Sequence, residues 1–316
     1  MKSKIKLIEE SLKLLTPRLE ACDICPRNCK VDRLNGQRGY CKAGNVPVIY
    51  TAFLHRGEEP AISGTQGSGT IFFSGCNLGC IYCQNYKFSH FLEGSLKSCE
   101  KMADLMLKLQ SEKAHNINLV TPTHFLPQIL ESLHIAISGG LNIPIVYNTS
   151  GYEKKEIIAK LSGIVDIYLP DMKYISESLA RKCSDADDYN VYNKEAILEM
   201  YKQKNKAHFK GNVLISGLVV RHLVIPGHIQ ETVTILSWIK ENIPNCLTSI
   251  MFQYQPYYKA KLYPQINRTV NFDEYNQVKE LVQNLRLKGW VQDFTQKEDM
   301  AGVYFNPDTS LEKNFL

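Results

Sequence analysis

The segment GTIFFSGCNLGCIYCQN, residues 69–85, decides how the rest of the chain is read. Its first part, TIFFS at 70–74, is a short apolar run that opens directly into three thiols, Cys76, Cys80 and Cys83, at gaps of four and three. A β-rich run without polar alternation is the pattern of a strand covered on both faces, as in a parallel sheet packed between helices. Gly75 and Gly79 stand before the first two thiols and relieve crowding where backbone must approach an inorganic core. Structural zinc normally takes four protein ligands, whereas a 4Fe–4S cubane held by three thiolates keeps one iron open. The spacing favours the cubane over zinc or thiols that merely pack.

Five more apolar runs follow: INLV (117–120), PIVYN (144–148), VDIYL (165–169), GLVVRHLVI (217–225) and SIMFQY (249–254). Helical periodicity separates and follows them, at 99–113, 125–137, 153–161, 193–204, 229–241 and 272–288. Six βα units in a row predict an α/β fold, a partial (β/α)6 barrel of the TIM type, with a doubly wound open sheet as the competing arrangement. In barrels the chemistry sits at the C-terminal ends of the strands, and polar residues collect there. The ends carry Thr121, Thr123 and His124; Asn148, Thr149 and Ser150; Asp171 and Lys173; Arg221 and His222; and Gln253, Tyr254 and Gln255.

CNLGCIYC resembles the CxxxCxxC signature of radical S-adenosylmethionine (radical SAM) enzymes, down to an aromatic residue, Tyr82, before the last cysteine. The resemblance implies a 4Fe–4S cluster on Cys76, Cys80 and Cys83 whose open iron is chelated by S-adenosylmethionine. An electron from the cluster then cleaves the cofactor to methionine and a 5'-deoxyadenosyl radical. It also implies a small reductant protein such as flavodoxin or ferredoxin as electron donor. Within the superfamily, the blocks PIVYNTSGYE (144–153), YLPDMKY (168–174), RHLVIPG (221–227) and MFQYQPYYKA (251–260) are similar to a group related to the pyruvate formate-lyase activating enzyme. By that likeness Lys173 and Arg221 neutralise the cofactor carboxylate, while Asp171 and Asn148 face a monovalent cation or the cofactor itself. Tyr82, Thr121 and Ser150 complete the expected cofactor set. One departure stands out: where many members have Gly-Gly-Glu after strand two, this chain has Thr121-Pro122-Thr123-His124. Gly139-Gly140 follows a helix and is no substitute.

A second group, CDICPRNCKVDRLNGQRGYC, sets Cys22, Cys25, Cys29 and Cys41 in a loop-rich stretch. Four thiols can close a tetrahedral zinc site or hold an auxiliary iron–sulfur cluster, and the expectation is a structural metal site of either kind. Cys99, Cys183 and Cys246 are isolated and read as packed or surface thiols.

With 44% hydrophobic and 22% charged residues, the chain of 316 residues falls in the globular range. Its +5 charge is scattered rather than gathered into a basic tract, which argues against nucleic acid as a partner. No stretch approaches the roughly 18 apolar residues of a membrane helix, and grouped cysteines suit metal ligation in a reducing cytoplasm. The expected organisation is an N-terminal helix at about 3–20 and Cys-rich segment within 1–50, a barrel over 51–290, and a C-terminal extension over 291–316. Three functions compete: installing a glycyl radical on a protein, hydrogen abstraction from a small molecule or modified macromolecule, and a metal-stabilised binding module without turnover.

Overall fold

The computed structural model describes residues 2–294. Most of the expected 291–316 extension, including the polar NPDTSLEKNFL at its end, lies outside the described residues.

Helix α1 (Lys2–Leu15) opens the chain and passes into a 3-10 turn, Thr16–Leu19. The expected helix to about residue 20 stops early because Pro17 offers no N–H and crowds the preceding turn. Ile8, Leu15 and Leu19 lie on one stripe and are buried in the same core as the barrel. Residues 20–47 form turns and bends with no regular element, as their Cys- and Gly-rich composition predicts.

Ten strands form one sheet: β1 (Val48–His55), β2 (Ser68–Phe73), β3 (Ser95–Leu96), β4 (Ile117–Val120), β5 (Ile145–Thr149), β6 (Ile167–Pro170), β7 (His208–Lys210), β8 (Val213–Leu223), β9 (Leu247–Met251) and β10 (Gly289–Val291). Their order is β10-β9-β8-β6-β5-β4-β2-β1-β3, with β7 paired to β8. The six expected strands are β2, β4, β5, β6, β8 and β9, and each pairs in parallel with the next. β1 runs antiparallel to β2 and extends the sheet on one side, while β10 adds in parallel to β9 on the other. Among the described residues the two outer strands, β3 and β10, do not pair with each other, so the barrel is open laterally. β1 runs across residue 50 and β10 across residue 290, so both boundaries expected from sequence fall inside strands.

The helices are α2 (Pro60–Ser63), α3 (Tyr86–Phe91), α4 (Cys99–Ser111), α5 (Leu126–Ser138), α6 (Lys155–Ala159), α7 (Glu177–Ser184), α8 (Tyr189–Gln203), α9 (Ile229–Asn242) and α10 (Phe272–Leu285). Local chemistry fixes their ends: the Ser98 hydroxyl caps α4, and Asn271 with Glu274 forms a reciprocal capping box on α10. The apolar sides of α4 and α5, Met102, Met106, Ile129 and Leu133 among them, are fully buried against the sheet. No described helix is long and apolar enough to cross a membrane.

Candidate active site

A cavity of about 180 Å³ opens at the C-terminal ends of the parallel strands. The loop after β2 brings Cys76, Cys80 and Cys83 to its wall, and Thr121, Asn148, Ser150, Asp171, Lys173 and Arg221 arrive from the ends of β4, β5, β6 and β8. Tyr82 lines it as well, so the seven residues expected to bind the cofactor all border this one cavity. Gln253 and Thr149 join them, whereas Thr123, His124, His222 and Tyr254 do not.

Those four point into packed surroundings instead. His222 is held between the Met172 carbonyl at 2.7 Å and the Thr232 hydroxyl at 2.9 Å, and Tyr254 donates to the Ile266 carbonyl. The His124 ring reaches the Ser74 carbonyl through Nε2 at 2.8 Å, and burial depresses its pKa to about 3, so it is neutral. Thr123 donates to Glu153, a fully buried carboxyl that also takes hydrogen bonds from Thr149 and Tyr147. Burial drives the Glu153 pKa up to about 7, the three hydroxyls opposing the rise. Where many superfamily members place Gly-Gly-Glu, this chain therefore has Thr123 anchored to an acid from the next strand-end loop. Thr121, just before it, has φ +57°, a left-handed backbone that a β-branched residue rarely adopts; its N–H is tied to the Asn148 carbonyl at 2.8 Å.

Each thiol of the triad has a donor or hydroxyl beside it. The Leu78 N–H points at Cys76 Sγ from 3.4 Å, Ser184 Oγ lies 2.9 Å from Cys80 Sγ, and Ser89 Oγ lies 3.2 Å from Cys83 Sγ. Ser184 continues to Tyr174 at 2.7 Å, and the Tyr174 hydroxyl meets that of Tyr82, so a buried chain of hydroxyls runs from Tyr82 to the Cys80 sulfur. Burial raises all three thiol pKa values, that of Cys83 to about 11, with mutual repulsion adding to the rise at Cys76 and Cys83. Such thiols become thiolates when a cation arrives to share the charge.

Opposite the thiols sits a compact ion cluster. Asp171 accepts from Lys173 Nζ at 2.7 Å and from Arg221 Nε at 2.9 Å, and a second arm of Arg221 donates to Asn148 Oδ1 at 2.6 Å. Glu58 approaches Arg221 at 3.6 Å. Burial alone would raise the Asp171 pKa, but Arg221 and Lys173 hold it below the usual carboxylate range. Burial likewise opposes charge on Lys173, and Asp171 outweighs it, keeping Lys173 protonated. Both cations thus have an anionic partner already, rather than standing as bare receptors for a carboxylate. Asn148 presents its oxygen to the Arg221 guanidinium.

The sequence reading missed Glu58 and its neighbour Glu59, which is buried and whose pKa desolvation raises, Arg221 opposing. They sit between β1 and β2, and Asn118 of β4 donates to Glu58 at 3.0 Å. The GEEP stretch at 57–60 was the available signal, two adjacent acids in the connection between two apolar strands.

The model of the radical SAM superfamily matches residues 70–239, from β2 through most of α9. This chain is a radical SAM protein. It is similar to "Uncharacterized protein MJ0674" of Methanocaldococcus jannaschii, 31% identical over 295 residues that cover 90% of this chain and 80% of that protein. It is also similar to "Uncharacterized protein MJ0808" of the same organism, 23% identical over 261 residues, 75% of this chain and 71% of the other. Among solved structures, a radical SAM methyltransferase from Sphaerobacter thermophilus superposes with a TM-score of 0.50 at 14% identity, over 71% of this chain and 66% of that one. That likeness is one of fold.

The radical SAM superfamily implies a 4Fe–4S cluster and S-adenosylmethionine, and the residues in place fit them. Three soft sulfur donors border one cavity, and each has a polar hydrogen within reach to tune its electron density. The wall facing the triad carries the charged and amide groups that a zwitterionic amino-acid end can bind.

Proposed function

We propose that this radical SAM enzyme acts on a polypeptide, installing a glycyl radical in the manner of an activating enzyme. The observation that carries the reading is the laterally open barrel, whose mouth holds the triad and the Asp171, Lys173 and Arg221 cluster on one accessible wall. A protein substrate must bring a backbone glycine to the reacting centre, and an open edge admits a main chain more readily than a closed barrel. The similarity of the DMK and RHLVIPG stretches to activating enzymes adds to this.

When bound, the cluster and cofactor supply a low-potential electron and a carbon-centred radical able to take a hydrogen atom. The chain's own part is binding and orientation. Cys76, Cys80 and Cys83 would hold the cluster; Lys173 and Arg221 would share their charge between Asp171 and the cofactor carboxylate; Asn148 and Ser150 would offer hydrogen-bonding groups beside them; Tyr82 would supply an apolar face in the same cavity. Thr121, which lines the same cavity with a left-handed backbone, would offer the cofactor's amino group its hydroxyl or carbonyl. Flavodoxin or ferredoxin is the class of reductant this chemistry calls for.

The test is to supply the reconstituted enzyme with S-adenosylmethionine and dithionite in a lysate of the native host. A persistent glycyl doublet in the EPR spectrum of a large polypeptide is the expected result. Deuterium reaching 5'-deoxyadenosine only from a labelled low-molecular-weight fraction, with no doublet, overturns the reading in favour of small-molecule chemistry.

A further inference from the structure

The four cysteines of residues 22–41 lie outside the radical SAM match, and in space they form a site of their own. Cys22, Cys25, Cys29 and Cys41 all border one cavity, whose wall Arg27, Arg33 and His124 share with Ile24 and Val31. Every one of their sulfurs faces a nitrogen donor. The Tyr40 N–H points at Cys29 Sγ from 3.3 Å and the Arg33 guanidinium lies 3.9 Å from Cys22 Sγ. Main-chain N–H groups of Arg27 and Ala43 serve Cys25 and Cys41. Hydrogen bonds of this kind support thiolates that ligate metal.

Two cations close the wall without their hydrogen-bonding capacity being used up. Arg33 is 1% exposed and gives one arm to the Gly44 carbonyl at 2.6 Å, yet its buried Nε has no partner. Arg27 donates through Nε to the Asn77 carbonyl in the triad loop, and its buried terminal nitrogen is likewise without one. A buried guanidinium N–H left unpaired is costly, and beside four thiols the natural acceptor is an anionic centre inside the cavity. Gly39 marks how close the chain runs: a Cβ there would stand 2.7 Å from both Cβ and Sγ of Cys29.

Zinc and iron–sulfur clusters both accept four thiolates, but they differ in size. Zinc places four sulfurs about 2.3 Å from one point, whereas a cluster holds them apart around an inorganic core. They also differ in what they bring: zinc carries no hydrogen-bond acceptor of its own, whereas a cluster adds inorganic sulfides, and the buried Arg33 Nε and Arg27 terminal nitrogen, from two residues that line this cavity beside the four thiols, have no acceptor among the described residues. We infer that Cys22, Cys25, Cys29 and Cys41 hold an all-thiolate iron–sulfur cluster, with Arg27 and Arg33 as its cationic shell, so that the protein carries two clusters. With all four positions occupied by protein sulfur, the second cluster has no vacancy for S-adenosylmethionine.

The inference stands apart from the activity at the triad and is tested on metal content. Full-length protein, isolated anaerobically and reconstituted with ferrous iron and sulfide, is compared with a Cys76→Ala/Cys80→Ala/Cys83→Ala variant and with Cys25→Ser. The triad variant is expected to keep iron and acid-labile sulfide in about equal amounts, and Cys25→Ser to lose part of the wild-type iron. Should the triad variant not fold, the wild-type protein and Cys25→Ser alone decide, because equal iron in those two proteins contradicts the site. An Arg33→Met change should leave the iron in place and lower the cluster's midpoint potential, since a nearby positive charge favours the reduced form. Zinc retained through reconstitution without sulfide, or no metal at these cysteines in a folded chain, overturns the inference.

Discussion

The two cysteine groups are buried to a similar degree and differ in what faces them. The triad opens onto a polar cavity with two cations, a carboxylate and an amide across from it, and its thiol count is one short of a closed shell. The N-terminal four share their cavity with two arginines, a histidine and apolar side chains, and no carboxylate or amide side chain among the described residues lines it. Yet the two are mechanically joined: Arg27 bonds to the carbonyl of Asn77, and a Cβ on Gly75 would stand 2.6 Å from the Cys41 carbonyl. The comparison teaches that ligand number and surroundings, rather than the presence of sulfur, separate a reactive cluster from one whose binding contributes to folding.

The sharpest way to break this contrast is to exchange the losses. Cys83→Ala should abolish 5'-deoxyadenosine release with dithionite while leaving a folded protein. Cys25→Ser should do the reverse, keeping measurable cleavage but lowering stability by more than about 4 kcal/mol, because metal-binding energy there is folding energy. Chemical denaturation and product chromatography read the two outcomes. Cleavage lost in Cys25→Ser with stability intact would join the two groups into one functional unit.

Next in size is the ion cluster at the triad's cavity. Asp171→Ala removes the shared partner of Lys173 and Arg221, leaving two buried cations uncompensated, and should cost about 3–5 kcal/mol in denaturant unfolding. A loss under about 1 kcal/mol, the value of a surface pair, would mean that Glu58 and water suffice.

Much of this was legible beforehand. The six parallel strands follow from apolar runs bounded by polar ends, and INLV at 117–120 matches β4 to the residue. The cavity followed from the strand-end rule, since Thr121, Asn148, Asp171, Lys173 and Arg221 all project from where such a barrel does its chemistry. What escaped were short or edge elements: α7, eight residues with a Cys and several charges, and β10, three residues whose pairing with β9 depends on the sheet already being built. Glu58 escaped for a related reason, because 163 positions separate it from Arg221 in sequence and only the curl of the sheet brings them together. His124 and His222 looked like rim groups, but His124 sits in a 3-10 turn with its ring held on the Ser74 carbonyl, and β-strand alternation turns one of two adjacent residues away from the cavity, so Arg221 faces in and His222 faces the helices.

Glu153 gives a smaller and pH-dependent effect. Its pKa is raised from 4.5 to about 7 in the fold, so the native protein keeps a proton that the unfolded chain releases. Stability should therefore fall as pH climbs from about 4.5 to about 7, by on the order of 3 kcal/mol if this group acted alone. Glu153→Gln should flatten that slope in thermal melts taken across the interval. An unchanged slope would place the carboxylate's charge in solvent reach.

The smallest effect belongs to Thr121. Replacing it by Gly relieves the left-handed backbone, worth about 1–2 kcal/mol, against the greater freedom glycine gives the unfolded chain. The net expectation is a gain of up to about 1 kcal/mol, with weaker binding of S-adenosylmethionine by equilibrium dialysis. Unaltered binding would show that the hydroxyl takes no part.

The most direct test of the account is the EPR spectrum of the dithionite-reduced, two-cluster protein before and after S-adenosylmethionine is added. The open iron at Cys76, Cys80 and Cys83 predicts that one signal changes as the cofactor binds, while the signal of the four-thiolate cluster stays fixed. Two signals that both ignore a saturating excess of S-adenosylmethionine would contradict it.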